Sequence, residues 1–507
     1  MLSLSTVVLW LKSKKVILLL LLILAIGSFL RFYDLGAESL WGDEAHSVVV
    51  SLSDIPSLIA KSTAGSHLPL YFIILHFWIN LFGISEVAIR ALSAIFGVLS
   101  ILATYGIGCL LFNRKVGLIG SFLCAISFYH IQYSQEARPY ALLLFLSLLS
   151  FLFFIQILKR DNKWNYLGYL LASILLVYNH VFGLLVIAVQ VSFLLLFWAK
   201  YSPQRLKLIA IQAAAVIALL PGVVIISHRA VGMVTKGFWV PEPTLSSMLI
   251  TVFYFAGRRW EILLIFFCLA AIAPFAIQGI GHRWSLRKPL ASVKSLSRHI
   301  RVESVEEILL LVMWLILPIL LAFIISKVIM PVYVSKYLIW ASPALYLLVA
   351  KGLSNLRVKW VIYPVLLIIV LLGVPRLERY YANYQKPQWR DVTAFVEFNS
   401  RENDVILYSP RHRQRAFDYY YRTRYHGELE AFGIGSNVSD AQEIAALVNE
   451  AISGKERLWL ILFRPEPDQA IEAYLIDKYG DGLVIIERDF HKLRVLLFIC
   501  PQRDPGS

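Results

Sequence analysis

Three short polar clusters interrupt an otherwise apolar chain, and each holds residue types that carry chemistry. Trp41-Gly42-Asp43-Glu44-Ala45-His46 offers two adjacent carboxylates, and Ser66-His67-Leu68-Pro69-Leu70-Tyr71 offers an imidazole ahead of a proline. Tyr133-Ser134-Gln135-Glu136-Ala137-Arg138-Pro139-Tyr140 sets a carboxylate two residues from a guanidinium. A carboxylate can accept the proton of a hydroxyl nucleophile, and a guanidinium fork suits the oxygens of a departing phosphate. Arg258-Arg259 and Lys336 supply further cations, and His180 lies between two apolar runs, where it either lines the same cavity or caps a turn. Pro139 suits the first position of a helix and disfavours α geometry at Arg138, so that guanidinium is free to turn inward.

Each cluster also has a purely structural reading. Asp43 and Glu44 would be stabilised by the dipole of a helix they begin. His67 would sit at an interface, Glu136 and Arg138 would form a local ion pair, and Arg258-Arg259 would anchor a helix end. The functional reading rests on the set, because the elements around the clusters place all three on one side of a membrane.

Those elements follow from composition. Of 507 residues, 58% are apolar and only 16% charged, where a soluble domain has about a quarter. The net charge of +15 comes mostly from short basic clusters between apolar runs. That pattern marks cytoplasmic loops and argues against a nucleic-acid-binding face. Runs long enough to span fall at 14–33, 88–112, 116–132, 139–158, 164–180, 181–199, 208–227, 260–280, 305–326, 337–353 and 359–375, about eleven in all. With the N-terminus inside, Arg114-Lys115, Lys159-Arg160-Lys163, Lys200-Arg205-Lys207, the basic residues between Arg283 and Arg301, and Lys351-Arg357 all fall in cytoplasmic loops. The apolar run Val16–Leu30 is followed directly by Arg31-Phe32-Tyr33-Asp34 rather than a small-residue cleavage site, so it reads as a membrane helix. The outer loops 34–87 and 228–259 contain apolar stretches, 69–83 and 245–257, expected to lie along the outer interface. Cys109, Cys124, Cys268 and Cys500 show no metal or redox spacing.

After Pro375 the chain becomes charged and Tyr-rich. Strand-like runs at Val405–Ser409, Leu458–Phe463, Leu483–Ile486 and Leu493–Ile499 alternate with helical patterns at Trp389–Asn399, Asp440–Ser453 and Asp468–Tyr479. The expectation is two domains: 1–375, a polytopic α-helical membrane domain whose first outer loop (34–87) carries the acidic pair, and 376–507, an extracytoplasmic α/β domain. Asn437-Val438-Ser439 fits a glycosylation acceptor pattern.

The order of a first-loop Asp-Glu, then His-x-Pro-Leu-Tyr, then Ser-Gln-Glu-Ala-Arg-Pro-Tyr resembles GT-C class membrane glycosyltransferases. The resemblance is to family 39, which includes protein O-mannosyltransferases and the lipid A aminoarabinose transferase. Val334-Ser335-Lys336-Tyr337 before Pro343-Ala344-Leu345, and Pro387-Gln388-Trp389-Arg390-Asp391-Val392, resemble further stretches of these proteins. The match is good over about 1–160 and loose beyond. It implies a GT-C fold and transfer of a hexosyl or pentosyl unit, with inversion, from a polyprenyl-phosphate-linked donor to an acceptor outside a plasma membrane. It also implies a base in the acidic pair Asp43-Glu44 and cations, Arg138, Lys336, Arg258 or Arg259, on the lipid phosphate. Gln135, Glu136, Tyr140, His67 and His180 are further candidates. Relatives often have two prolines after the His or Lys where this chain has His67-Leu68-Pro69, and the residues after the acidic pair differ, so the acceptor is not carried over. Nothing demands a metal, since one acidic pair is too few ligands for a divalent site. A transporter or flippase is the rival reading. It would place ionisable residues at mid-membrane, where these spans are nearly free of them.

A reporter fused after Pro375 should therefore be active only as an extracytoplasmic fusion. Activity confined to the cytoplasm would overturn the topology.

Overall fold

The computed structural model describes residues 4–65, 67–236, 240–257, 305–356, 359–409, 414–434, 441–464, 469–479 and 484–500. Ser66, Arg258, Arg259, the expected span 260–280 and the Asn437 acceptor pattern lie outside them. The chain divides into two compact units: Met1–Tyr33 with Asp54–Phe77 and Arg90–Glu378, and Asp34–Ser53 with Trp78–Ile89 and Arg379–Ser507.

Helices of the first unit follow the apolar runs. Among the described residues, five helical stretches are long and apolar enough to cross a membrane: Lys14–Phe32 within α1 (Leu4–Phe32), α5 (Glu86–Leu111), α8 (Tyr140–Lys159), α13 (Val305–Val328) and Ser335–Asn355. The bent pair α6 (Arg114–Ile126) and α7 (Phe128–Ser134) would make a sixth. In α1, Leu18, Leu21, Leu22 and Phe29 are exposed, an arrangement suited to lipid tails. The expected spans 164–180 and 181–199 appear as α9 (Lys163–Asn179) and α10 (Gly183–Leu196), of 17 and 14 residues. The stretches 69–83 and 245–257 appear as α4 (Leu70–Phe82) and α12 (Leu245–Phe255), of 13 and 11 residues, short against the roughly 20 needed to span. In chain order α2 (Gly42–Ser51) and α3 (Ile55–Ala64) precede α4, and α11 (Arg205–Lys236) precedes α12.

The α6–α7 break turns the helix by 59° at the extended residue Ser127. A break frees carbonyls that lipid cannot satisfy. Buried Arg31, at the end of α1, supplies donors: Nη1 to Ala125 O at 2.9 Å and Gly27 O at 3.0 Å, Nη2 to Cys124 O at 3.1 Å. Ser127 Oγ caps α7 by accepting from His130 N (3.4 Å) and lies 2.8 Å from the Tyr346 hydroxyl. His130 Nε2 is 2.6 Å from Ser342 Oγ, on α14 (Ser342–Asn355). Gly97 of α5 makes room for this junction, since a Cβ there would stand 2.1 Å from Ser134 Oγ and 2.9 Å from Arg31 Nε.

The second unit is built on a five-stranded sheet in the order β2-β1-β3-β5-β4. Its strands are β1 (Asp404–Ser409), β2 (Glu430–Gly433), β3 (Arg457–Phe463), β4 (Val484–Phe490) and β5 (Leu493–Ile499). β1 pairs in parallel with β2 and β3, and β5 runs antiparallel to β3 and β4. β1 and β3 are buried along their whole length, as continuous apolar runs in mid-sheet should be. Val405, Leu407, Leu458, Leu460 and Phe498 pack with Ile444 and Val448 of α18 (Ala441–Ile452) and with Ile471 and Leu475 of α19 (Gln469–Tyr479). The buried ends of β1 and β3 are joined by Arg457, which pairs with Asp404 through two contacts of 2.6 and 2.7 Å. Helix α15 (Ile362–Ala382) continues through Pro375, and α16 spans Trp389–Asn399. A short helix, α17 (Gln414–Asp418), leads into a π-helical turn, Tyr419–Arg424.

Arg31→Met should leave the carbonyls at the α6–α7 break short of a donor and cost about 1–3 kcal/mol. Thermal unfolding in detergent should show the loss; unchanged stability would remove Arg31 from this role.

Candidate active site

The acidic pair opens α2. Trp41 is extended, with φ −92° and ψ 170°, and Asp43 and Glu44 occupy the first turn. Successive helical residues point about 100° apart, so the two carboxylates face different surroundings. Glu44 is fully buried; its Oε2 accepts from Trp41 N at 3.3 Å and pairs with Lys386 Nζ at 3.0 Å. Asp43 stays partly exposed, and its carbonyl accepts from Ser47 Oγ at 3.0 Å.

The backbone leading into α2 is held by groups from far along the chain. The Glu38 carboxylate accepts from Gln385 N and, at 3.3 Å, from Lys386 N. Ser39 Oγ accepts from Arg390 N at 3.1 Å, while the Arg390 guanidinium donates to Ala37 O (2.8 Å) and Gly36 O (3.2 Å). Leu40 N donates to the Tyr420 hydroxyl at 2.7 Å. Arg390, Tyr420 and Arg424 all converge on buried Glu86: Arg424 Nη1 lies 2.8 Å from both carboxylate oxygens, Tyr420 3.1 Å and Arg390 3.2 Å from Oε1.

A second cluster belongs to the first unit and centres on the Tyr140 ring. Arg138 Cζ lies 5.8 Å and Lys336 Nζ 5.1 Å from its centroid, within reach of the electron-rich ring face. Arg138 is 3% exposed, in the chain turn between α7 and α8, where Ser93 Oγ donates to its carbonyl at 3.4 Å. Tyr71 Oη is 3.1 Å from Ser93 Oγ, and Asn179 Nδ2 donates to Pro139 O at 3.2 Å. Lys336 rides on a 3₁₀ turn, Ser335–Ala341, fixed by Tyr129 Oη donating to Ser335 O at 2.7 Å. The His180 ring stands 4.8 Å from Tyr337 and 6.5 Å from Tyr140. Phe182 N donates to His180 Nδ1 at 3.2 Å, which leaves Nε2 to carry the ring proton. Two cations and an N–H donor around phenol rings suit an anion.

The structure thus brings Arg138, Tyr140, His180 and Lys336 together. Gln135 instead holds backbone, Nε2 donating to Tyr33 O at 2.9 Å and Arg31 O at 3.2 Å. Glu136 is buried, and its carbonyl accepts from Arg138 N at 2.8 Å. His67 packs its ring 5.9 Å from Phe72, with its backbone N–H on Ser62 O. Sequence reasoning did not single out Lys386, Arg390, Glu86, Tyr420 or Arg424. A signal was present for two of them: Arg390 belongs to, and Lys386 adjoins, the Pro387-to-Val392 motif.

Residues 66–228 match the family model described as dolichyl-phosphate-mannose-protein mannosyltransferase. No curated protein matches the chain. ArnT from Cupriavidus metallidurans, solved bound to undecaprenyl phosphate, is 12% identical with a TM-score of 0.59, covering 95% of this chain and 99% of its own. The oligosaccharyltransferase AglB from Archaeoglobus fulgidus, in complex with an inhibitory peptide and a dolichol-phosphate, is 12% identical with a TM-score of 0.54, covering 93% and 72%. The chain has the GT-C glycosyltransferase fold. The region 66–228 that matches the mannosyltransferase model contains Arg138, Tyr140 and His180.

Arg138→Lys keeps the charge but loses the fork, so affinity for a phosphate-bearing anion should fall about tenfold, roughly 1.4 kcal/mol. Retention of full affinity by both Arg138→Ala and Lys336→Ala would refute an anion site at Tyr140.

Proposed function

We propose that this GT-C protein transfers a monosaccharide from a polyprenyl-phosphate-linked donor to a hydroxyl acceptor on the extracytoplasmic side of a membrane. The observation that carries the reading is that Arg138 and Lys336 both reach the Tyr140 ring, Arg138 and Tyr140 lying in the region 66–228 that matches the mannosyltransferase model. The polyprenyl phosphates named with ArnT and AglB support the same ligand class.

In the proposed reaction Arg138 and Lys336 hold the phosphate oxygens, and His180, a neutral N–H donor beside Tyr140 and Tyr337, assists them. The acceptor oxygen forms a bond to the anomeric carbon as the bond from that carbon to the phosphate oxygen breaks. Attack from the face opposite the phosphate inverts the anomeric centre. The phosphate leaves as a stable anion, so cations rather than an acid assist departure. The acceptor's proton passes to a carboxylate, and Asp43 takes this role because its neighbour Glu44 is already buried against Lys386. Holding donor and acceptor in line supplies much of the remaining acceleration. We assign the C-terminal α/β portion the task of shaping acceptor choice.

Asp43→Asn keeps the size of the side chain and removes the basic oxygen. Turnover of a polyprenyl-phosphate sugar should fall about 10²–10⁴-fold, with donor binding nearly unchanged. If Asp43→Asn stays active while Glu44→Gln is dead, the two roles are reversed; if both stay active, the first-loop mechanism is wrong.

A further inference from the structure

We infer that Lys386, at the start of the C-terminal portion, is a positioning residue for the acidic centre on α2. The inference rests on the reading of Asp43 as base and adds to it a residue 342 positions away from Glu44 in the chain.

Glu44 and Asp43 are consecutive in one helical turn, so holding Glu44 holds the backbone turn that carries Asp43. Glu44 is fixed twice through the same oxygen, by its own helix start at Trp41 N and by the Lys386 ammonium. Both partners are shielded: the Glu44 side chain is 0% and the Lys386 side chain 12% exposed. Lys386 is itself placed by its backbone N–H on Glu38, and Arg390 grips Gly36 and Ala37, so both sides of the ion pair are tied to the same stretch of backbone. An ammonium so placed has a carboxylate partner to hold rather than a substrate to meet. Removing it strands a buried charge, and Glu44 must then turn toward water or carry the first turn of α2 with it. Either response moves Asp43. A misplacement of about 1 Å can cost on the order of a hundredfold in rate. The donor's phosphate is assigned to Arg138 and Lys336, so its binding is spared.

The test uses full-length protein in detergent or nanodiscs, with a polyprenyl-phosphate sugar as donor. Lys386→Met should lower kcat about a hundredfold while KM for the donor changes less than about threefold. Lys386→Arg should restore most of the rate. The double variant Lys386→Met/Glu44→Gln, which removes the stranded charge, should recover at least about tenfold over Lys386→Met alone. Turnover of Lys386→Met within twofold of wild type overturns the assignment. So does a double variant no faster than the single one, which would mean that the ammonium or Glu44 acts on the substrate itself. Should Lys386→Met fail to fold, Glu44→Gln is compared with and without Lys386→Met: equal rates support the assignment, and a further fall on losing the ammonium overturns it. Carbodiimide labelling followed by peptide mass spectrometry decides the geometry without any activity. Glu44 should be protected and Asp43 labelled in the wild type, and Lys386→Met should expose Glu44; equal labelling of the two in the wild type overturns the proposal. A wild type that turns over no such donor would instead sink the proposed function and leave the labelling result standing.

Discussion

The second unit depends on one buried carboxylate. Glu86 begins α5, where the helix dipole favours a negative charge, and it gathers two guanidiniums and a phenol around itself. Its partners come from 390, 420 and 424, so this group joins the short Trp78–Ile89 segment to the C-terminal portion. Two of the three also reach the 36–40 backbone: Arg390 through Gly36 and Ala37, Tyr420 through Leu40. Charge-assisted bonds of this kind are geometrically demanding, and a fork shared between a carboxylate and backbone carbonyls leaves little freedom to any of them. The acidic helix α2 inherits that definition.

The first unit solves a different problem with a similar device. A helix broken inside an apolar medium must find partners for its freed carbonyls, and Arg31 brings them from the end of α1. The break redirects the chain through α7 toward the turn that carries Arg138. Neighbouring hydroxyls, Ser127 with Tyr346 and Ser342 with His130, complete the polar lining of the bend.

Much of this was legible in the sequence. Apolar runs located the long helices, and the strands β1, β3 and β5 and the helix Trp389–Asn399 fell where periodicity put them. β2 escaped because it has four residues of alternating exposure, too few for a period to emerge. The segment 414–424 escaped because three consecutive tyrosines carry neither a helical nor a strand pattern. The acidic pair and Arg138 with Lys336 were visible as polar interruptions in apolar surroundings. Lys386, Arg390 and Glu86 were not, because a charge looks like ordinary surface until its partner, some 300 residues distant, is known. Long-range pairing leaves no local signature.

The hold of residues 385–390 on the 36–44 segment also orders events in biosynthesis. At about 5–20 residues per second, some 342 residues separating Glu44 from Lys386 correspond to roughly 20–70 s of translation. During that interval the first loop has been made but its clamp has not, and α2 begins without the contacts that orient its carboxylates. A nascent or prematurely terminated chain therefore holds an unassembled acidic centre, even with its membrane helices already inserted. The contacts that orient α2 form only once residues 385–390 have been made, so the final geometry of the first loop waits on a late segment of the chain.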